Sequence, residues 1–533
     1  MHWFAADRAK YRTLATAWVL PERRRCVQCG MCSFNCPMAL DVRRHVWRDE
    51  PVSEAGCLTC GECVKRCPRG LLHFDPITAD DDAARRRQLA SRDASLQTPR
   101  RHVLVGGGPA TLAAAEAIRA SDPKAEILVV GADSHGYYSR PGLAYLLTGE
   151  LPERRLFPFR PSALRALRID WIRERAAAVE PAAHQVVLES GRRLSYDRLL
   201  LATGSSAIRP DVPGVDLDGV VTLDDLDDAR DIIRRARAAK AAVVVGGGIT
   251  ALEIVEGLRA QGTRVHYFLR RDRYWSNVLS PAESGIVERR LQREGVEIHR
   301  FTDLAAITGR GGRVSGVRTG DGSSIPCDLV AVAVGVRPQI DLARTAGLPC
   351  ARGVLVDEHL RAGDPDIFAA GDIAEITDPA TGRGVLDVLW NVAATKGRVA
   401  GLNMAGEPRH RYLADPQLNI TRLAGLHTTI IGTVGNGEDA DLQGLARGDS
   451  QVWSELDEAA VVEARQGEAH VRLALGERTI DGAVVMGDQA LSYMLQGLIE
   501  TRTDASETAS LDAALAGVIC ETRDEWKACR ARP

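Results

Sequence analysis

The chain has 533 residues, with 68 basic and 71 acidic side chains and a formal net charge of −3. That near balance excludes a polycationic nucleic-acid binder and a basic membrane-surface protein. Aromatic residues make up only 5 % while glycines number 50, a mixture suited to α/β nucleotide-binding units and not to a stacking surface. The length allows three or four domains. No run of about 18 apolar residues occurs, so no membrane span is expected. The apolar stretch Leu14–Leu20 is too short for a secretory core, so no leader is expected either. Eight of the 12 cysteines lie between Cys26 and Cys67, which predicts bound metal in a reducing, cytoplasmic compartment and not disulfides.

Residues 1–25 read as helical and turn basic toward their end. Two quartets follow, Cys26-x2-Cys29-x2-Cys32-x3-Cys36-Pro37 and Cys57-x2-Cys60-x2-Cys63-x3-Cys67-Pro68, the second displaced by 31 residues at every cysteine. Zinc sites use two pairs of ligands, not two quartets with trailing prolines. The spacing is that of bacterial two-cluster ferredoxins, in which the fourth cysteine of each run serves the other cluster. Three thiolates on a tight loop hold three irons of a cube, and the fourth reaches across. The expected sets are therefore Cys26, Cys29, Cys32 and Cys67 for one [4Fe–4S] cluster, and Cys57, Cys60, Cys63 and Cys36 for the other. Between the quartets, Asp41–Glu50 is charged and compatible with a helix; spacing alone leaves open a β-ribbon or a helical head. Asp80–Arg100, with Asp80-Asp81-Asp82 and Arg85-Arg86-Arg87, reads as a solvated linker.

Val103–Ala120 reads as a short buried strand, a turn at Gly106, Gly107 and Gly108, and a helix rich in small residues, including Ala113, Ala114 and Ala115. Glycine here leaves backbone N–H groups open to a phosphate, and the helix N-terminus adds positive potential for a pyrophosphate. Glu126–Val130 reads as the next strand, after which a ribose-binding acid is expected; Asp133 is the candidate, one residue late. Thr111 stands where the fingerprint has its third glycine. Two distant stretches strengthen the pattern: Leu199-Leu200-Leu201-Ala202-Thr203-Gly204 and Asp366–Asp372, DIFAAGD.

On these residues, roughly 101–435 resembles the two-dinucleotide-domain flavoproteins of the disulfide reductase superfamily. The resemblance implies that FAD is held by Gly106, Gly108, Pro109, Ala110, Thr203, Gly204, Gly371 and Asp372, with Gly107, Asp133 and Arg140 as further candidates for the same site. Tyr138-Ser139-Arg140-Pro141 and Leu143 resemble the branch of NAD(P)H-nitrite reductase, rubredoxin reductase and ferredoxin reductases. Many of that branch carry a lysine near the flavin where Tyr145 stands here. Asn391–Asn403 resembles the helix whose N-terminus faces the flavin pyrimidine ring; Trp390 reads as core packing. The superfamily's redox cysteine pair is missing from Tyr137-Tyr138-Ser139-Arg140, and Cys327, Cys350, Cys520 and Cys529 form no short-spaced motif, so no thiol relay is expected.

Ala241–Ala260 repeats the opening pattern with Gly246, Gly248 and Ala251 at the three fingerprint positions, and the strand Thr263–Leu269 follows. The ribose acid is absent near Leu269. Arg270 and Arg271 stand there instead, which favours the 2′-phosphate of NADPH over NADH. Leu426–Val434 and Gln451–Met486 alternate as strands do, and Ser506–Ala531 reads as polar helix.

The expected architecture is α/β: two Rossmann-like dinucleotide-binding domains, the NAD(P) domain inserted in the FAD domain, with a ferredoxin-like iron–sulfur head and a C-terminal α+β domain. The boundaries are 1–80 for the head, 81–100 for the linker, 101–218 and 335–405 for the FAD domain, 219–334 for the NAD(P) domain and 406–533 for a capping or interface domain. The expected activity is electron transfer between NAD(P)H and a one-electron partner through FAD and two [4Fe–4S] clusters. The partner is a ferredoxin or a catalytic redox subunit, and flow in the reverse direction is compatible. The alternative is a wiring subunit of a larger complex, such as a 2-oxoacid:ferredoxin oxidoreductase or a nitrite-reductase-like system; homo- or hetero-oligomers fit both. A reductase of a small organic substrate lacks a further cofactor site in the sequence.

Overall fold

The computed structural model describes residues 17–21, 26–36, 40–52, 61–76, 99–157, 167–377, 382–414, 416–435, 460–466, 469–476, 479–487, 489 and 491–502. Cys57 and Cys60, residues 81–98 of the linker and the C-terminal stretch Ser506–Ala531 lie outside them. No described helix is long and apolar enough to cross a membrane.

Two five-stranded parallel sheets form the body. The first runs Ile367–Ala369, Arg198–Leu201, Arg101–Val105, Glu126–Val130, Ile169–Ile172 across the sheet. The second runs Val220–Val221, Leu329–Val332, Ala241–Val245, Arg264–Phe268, Glu297–His299. Both are doubly wound, and the chain completes the second between the fourth and fifth strands of the first. Each also makes a three-stranded antiparallel excursion, 176–195 just before Arg198–Leu201 in the first and 304–325 just before Leu329–Val332 in the second. The central strands are apolar runs such as Val103, Leu104 and Val105, buried on both faces as a parallel sheet requires. The passages between the units, Ser205–Ala207 outward and Val336–Pro338 back, pair as an antiparallel ribbon.

The helix Pro109–Ser121 of the first unit is crossed by the long helix Trp390–Ala405. Glycine sets how close they come. A β-carbon on Gly397 would lie 2.1 Å from the Ala110 carbonyl oxygen, and one on Gly401 would lie 2.5 Å from that of Ala114. The small residues Ala113, Ala114 and Ala115 are all buried.

The head begins and ends on one antiparallel ribbon, Ala17–Pro21 paired with Leu72–Pro76. The helical reading of the first 25 residues is thus corrected over Ala17–Pro21. Trp18 and Val19 are good strand formers, and their partner strand, which decides the conformation, lies some fifty residues away. Between the ribbon strands sit short helices Met31–Phe34, Val42–Arg48 and Glu62–Arg66.

The C-terminal region contributes an antiparallel sheet ordered Leu418–Leu423, Leu426–Gly432, Ile480–Met486, Ala469–Leu475, Ala460–Gln466, with the helix Ser492–Glu500. The sheet is fastened to the second unit by Arg472. Its Nε donates to fully buried Glu283 at 3.0 Å, and its Nη2 donates to the Val278 carbonyl at 2.6 Å. Burial alone would raise the Glu283 pKa; Arg472 and His470 hold it below the usual carboxylate range.

Gly397→Ala forces a methyl into the Ala110 carbonyl and should cost about 1–3 kcal/mol, lowering the thermal midpoint. Gly406→Ala, where the added carbon meets nothing within 4 Å, should stay within about 0.5 kcal/mol of wild type. Equal midpoints for the two variants would contradict the close helix crossing.

Candidate functional site

The two glycine turns are built alike. Gly106 has φ +124°, and a β-carbon there would meet the Ala202 carbonyl oxygen at 2.0 Å; Gly246 has φ +145° and would meet that of Ala333 at 2.1 Å. Each turn therefore lies against the end of the neighbouring strand that follows the antiparallel excursion, Arg198–Leu201 for the first and Leu329–Val332 for the second. Gly108 and Gly248 are the N-caps of helices Pro109–Ser121 and Ile249–Ala260, with no side-chain cap taking the first N–H groups. The β-carbon of Ala251 would lie 3.2 Å from one built on Gly246. The match of Ala202-Thr203-Gly204 with Ala333-Val334-Gly335, both glycines at positive φ, is an internal repeat legible in the sequence.

Around the first turn the predicted residues converge. Gly371 has φ +81°, and its β-carbon would lie 3.4 Å from that of Ala110 and 3.8 Å from that of Ala393 on the long helix. Asp372 accepts from Ser205 Oγ at 2.5 Å, and Thr203 Oγ1 donates to the Gln339 carbonyl at 2.7 Å. Asp133 accepts from the His135 N–H at 2.8 Å and lies 3.7 Å from Arg140, whose guanidinium stands 5.3 Å from the Tyr138 ring centre. Trp171 was not singled out in the sequence. Its ring would lie 3.2 Å from a β-carbon on Gly107, and its Nε1 is buried without a partner, as is the Thr111 hydroxyl. Open space at Gly108 with orphaned donors nearby suits a bound anionic group. At the second turn Leu269 is buried, Arg270 is exposed and Arg271 partly so.

Cys26, Cys29, Cys32 and Cys67 line one cavity, together with Arg43 and Arg69. Burial pushes the thiols up, to about 12 for Cys26 and about 11 for Cys67, and neighbouring thiolates add to it. Four such groups become thiolates together only around a cation, which is what an iron–sulfur cube supplies. Of the other quartet, Cys36 and Cys63 belong to the core shared by the head and the C-terminal sheet.

The profile of the family described as pyridine nucleotide-disulphide oxidoreductase matches residues 100–397. The chain belongs to that family. A second profile, described as a 4Fe-4S dicluster domain, matches residues 25–72. The chain is 33 % identical over 361 residues to the ferredoxin–NAD(+) reductase component of the biphenyl dioxygenase system of Paraburkholderia xenovorans, covering 65 % of this chain and 84 % of that one. It is 29 % identical over 349 residues to the epsilon subunit of NADH-dependent phenylglyoxylate dehydrogenase of Aromatoleum evansii, covering 62 % and 79 %. The ferredoxin reductase of the CYP199A2 system of Rhodopseudomonas palustris superposes with a TM-score of 0.68 at 25 % identity, over 76 % of this chain and 95 % of that chain. The protein is thus an NAD(P)H-dependent oxidoreductase that binds FAD and carries a 4Fe-4S domain.

The head is joined to this flavoprotein body through the cysteine cavity. Arg43, 4 % exposed, donates through Nη1 to the carbonyls of Gln28 (3.3 Å) and Arg155 (2.5 Å) and through Nη2 to that of Phe157 (3.1 Å). Ser139 Oγ donates to the Val27 carbonyl at 2.8 Å. Trp47 Nε1 donates to Glu116 at 2.5 Å, and its ring meets Trp390 edge-on at 5.9 Å. Trp390 thus packs between head and body. Tyr145 is buried and near enough to Cys29 for a thiolate there to raise its pKa, after burial itself.

Beside Tyr145 three parts of the chain meet. Arg422 of the C-terminal sheet stands 5.0 Å from the Tyr145 ring centre and pairs with both Glu150 oxygens at 2.8 and 2.5 Å. Glu256, on the helix Ile249–Ala260 of the second unit, accepts from the Gly425 N–H at 3.1 Å. Burial raises the Glu256 pKa from 4.5 to about 7, with the Glu150 charge adding and Arg422 opposing.

The folded protein therefore holds a proton at Glu256 that the unfolded chain releases, and this contribution is lost as pH rises from about 4.5 to about 7. Glu256→Gln keeps the acceptor and removes the titration. It should raise the thermal midpoint at about pH 8 and change it little at about pH 4.5. Thermal scans at the two pH values check this; a variant less stable than wild type at about pH 8 contradicts it.

Proposed function

We propose that the protein carries electrons between NADPH and a one-electron protein partner through FAD and two [4Fe–4S] clusters, one held by Cys26, Cys29, Cys32 and Cys67, the other by Cys57, Cys60, Cys63 and Cys36. When bound, FAD takes an electron pair from the nicotinamide as hydride, and the cubes pass electrons singly. The observation that carries the reading is the bonding of the first cysteine loop to segment 139–157 of the flavin-type unit by Arg43 and Ser139. It supports an order in which the first cluster stands between the flavin and the second. Tyr145 lies on the body side of Cys29, and Arg43 and Arg69 add positive charge that favours a reduced cluster. Ahead of the second quartet's helix, Gly61 packs under Phe74, which is 45 % exposed; Phe34, between Cys32 and Cys36, is 41 % exposed. That end suits a ferredoxin-type partner.

The roles of the chain's residues are positional. The turns at Gly106 and Gly246 present helix N-termini to pyrophosphates, Gly371 and Asp372 close over the first, and the buried aromatic contacts keep water from the path. For the nucleotide, Arg270 and Arg271 without an acid at Leu269 support NADPH, although the relatives above are named for NAD(+) and NADH.

Anaerobic reduction by NADPH followed by electron paramagnetic resonance tests the order. Cys60→Ser should leave the first cluster reducible while slowing transfer to ferredoxin more than about tenfold. Cys26→Ser should leave the flavin reducible and the remaining cluster oxidised. Wild-type transfer rates in either variant refute the relay. In wild type, kcat/KM should be higher with NADPH than with NADH; the reverse ranking removes the role given to Arg270 and Arg271.

A second reading rests on the similarity to a dehydrogenase subunit: the chain wires a catalytic partner. Native purification tests it, because stoichiometric co-elution with a catalytic chain is expected and a free, fully active enzyme opposes it.

A further inference from the structure

The edge of the second sheet carries a cluster that neither the cysteine cavity nor the glycine turns use. His266 on the strand Arg264–Phe268 lies opposite Glu297 on the neighbouring parallel strand, and His299 follows two residues on, so all three side chains share one face of the sheet. His266 Nδ1 is 3.1 Å from His299 Nε2 and 3.2 Å from Glu297 Oε2, and the three donor atoms all lie within 4.8 Å of one another. The positions are held from behind. His266 is 8 % exposed, and the His299 ring meets the Phe268 ring edge-on at 5.3 Å. The backbone carbonyl of His299 accepts from the Leu269 N–H at 2.8 Å. On the other side the Glu297 side chain is 54 % exposed, leaving a way in from solvent.

We propose that His266, Glu297 and His299 form a binding site for one divalent cation of the zinc class, which clamps the edge strand Glu297–His299 onto its neighbour. Two imidazole nitrogens and a carboxylate oxygen are the donor set zinc prefers after thiolates, with water free to take the fourth position. Donors at about 2.0–2.1 Å from a tetrahedral ion stand about 3.3 Å apart, close to the spacing seen between His266 Nδ1 and its two neighbours. Without the ion the rings meet through one N–H···N hydrogen bond. With it, that hydrogen moves to the far nitrogen of the same ring, both rings stay neutral, and no proton is lost. The site is independent of the electron-transfer reading and stands or falls apart from it.

Equilibrium dialysis of the cluster- and flavin-loaded protein against zinc, with bound metal counted by mass spectrometry, tests the site; iron and flavin content serve as the check on folding. Wild type should bind one zinc beyond any bound by His299→Gln, with affinity lowered about 100-fold or more in that variant and in His266→Gln. Glu297→Gln, at an exposed position that should not disturb folding, should weaken binding about tenfold, so the proposal remains testable if a histidine variant is unstable. Zinc should also raise the thermal midpoint of wild type and not of the histidine variants. Equal zinc binding in wild type and Glu297→Gln with either histidine variant, or no wild-type binding below about 10 μM, overturns the proposal.

Discussion

At Gly106 and at Gly246 a carbonyl oxygen occupies the place a β-carbon would need. That one steric demand underlies the body of the molecule. A strand can turn into a helix within three residues, and against the end of another strand, only where the chain has no side chain and tolerates positive φ. The consequence is that a helix N-terminus and the ends of two neighbouring strands converge at one point in each sheet: Arg101–Val105 with Arg198–Leu201 in the first, Ala241–Val245 with Leu329–Val332 in the second. The insertion of the second unit adds no conflict, because the chain leaves and returns along one ribbon, Ser205–Ala207 with Val336–Pro338. The long helix then comes close to Pro109–Ser121 for the same reason the turns are tight, through Gly397 and Gly401 over the backbone carbonyls of Ala110 and Ala114. Those contacts bring Ala393 and Gly371 to the first turn, so its lining is a by-product of backbone approach more than of polar side chains.

The head obeys a different constraint, the cost of burying charge. Its four cavity cysteines are unfavourable as thiolates without a cation, and the same desolvation applies to Arg43 and Arg69 around them. Arg43 meets it by donating to three carbonyls, two of which belong to the flavin-type unit. Hydrogen bonds from a charged donor contribute about 1.5–3 kcal/mol each. The group that complements the cysteine site therefore also ties the head to the body, and a head displaced from it would lose two of the guanidinium's three carbonyl acceptors.

Fold class was legible because its signals are local. Apolar runs, glycine turns and alanine-rich helices each specify a strand–turn–helix unit, and their order along the chain gave the nesting of one unit in the other. The two cysteine quartets were legible for the same reason. What was not legible depends on partners distant in sequence. Ala17–Pro21 is a strand only because Leu72–Pro76 lies beside it. Arg43 reads as one charge in a polar helix, and nothing nearby in sequence shows that Arg155 and Phe157 will accept from it. Trp171 lies on a strand more than 60 residues beyond the turn it covers, where it reads as an ordinary strand aromatic. Lys396, fully buried with its ammonium on the Ala374 carbonyl at 3.0 Å, reads as a surface lysine of an amphipathic helix. Burial pushes its pKa down while Asp387 and Asp372 push it up, a balance set by three separate stretches of chain.

The C-terminal sheet holds no cofactor motif, yet its two faces explain why it is there. Val471, Leu473, Ala483 and Val485 point into the core shared with the head, beside Val19, Cys26, Cys32 and Leu72. Val484 and Met486 point into the core of the body, and Arg472 reaches Glu283 from that same face. Its first hairpin ends at Ala424 and Gly425, both at positive φ, and that tip meets Arg290 and Glu256 of the second unit. A sheet buried on both sides loses the clean alternation of a half-exposed one, so runs such as Ala483–Met486 are apolar throughout. The head thus rests on a wall that is itself fixed to the nucleotide unit, and the placement of its first cysteine loop at segment 139–157 follows from that wall together with Arg43.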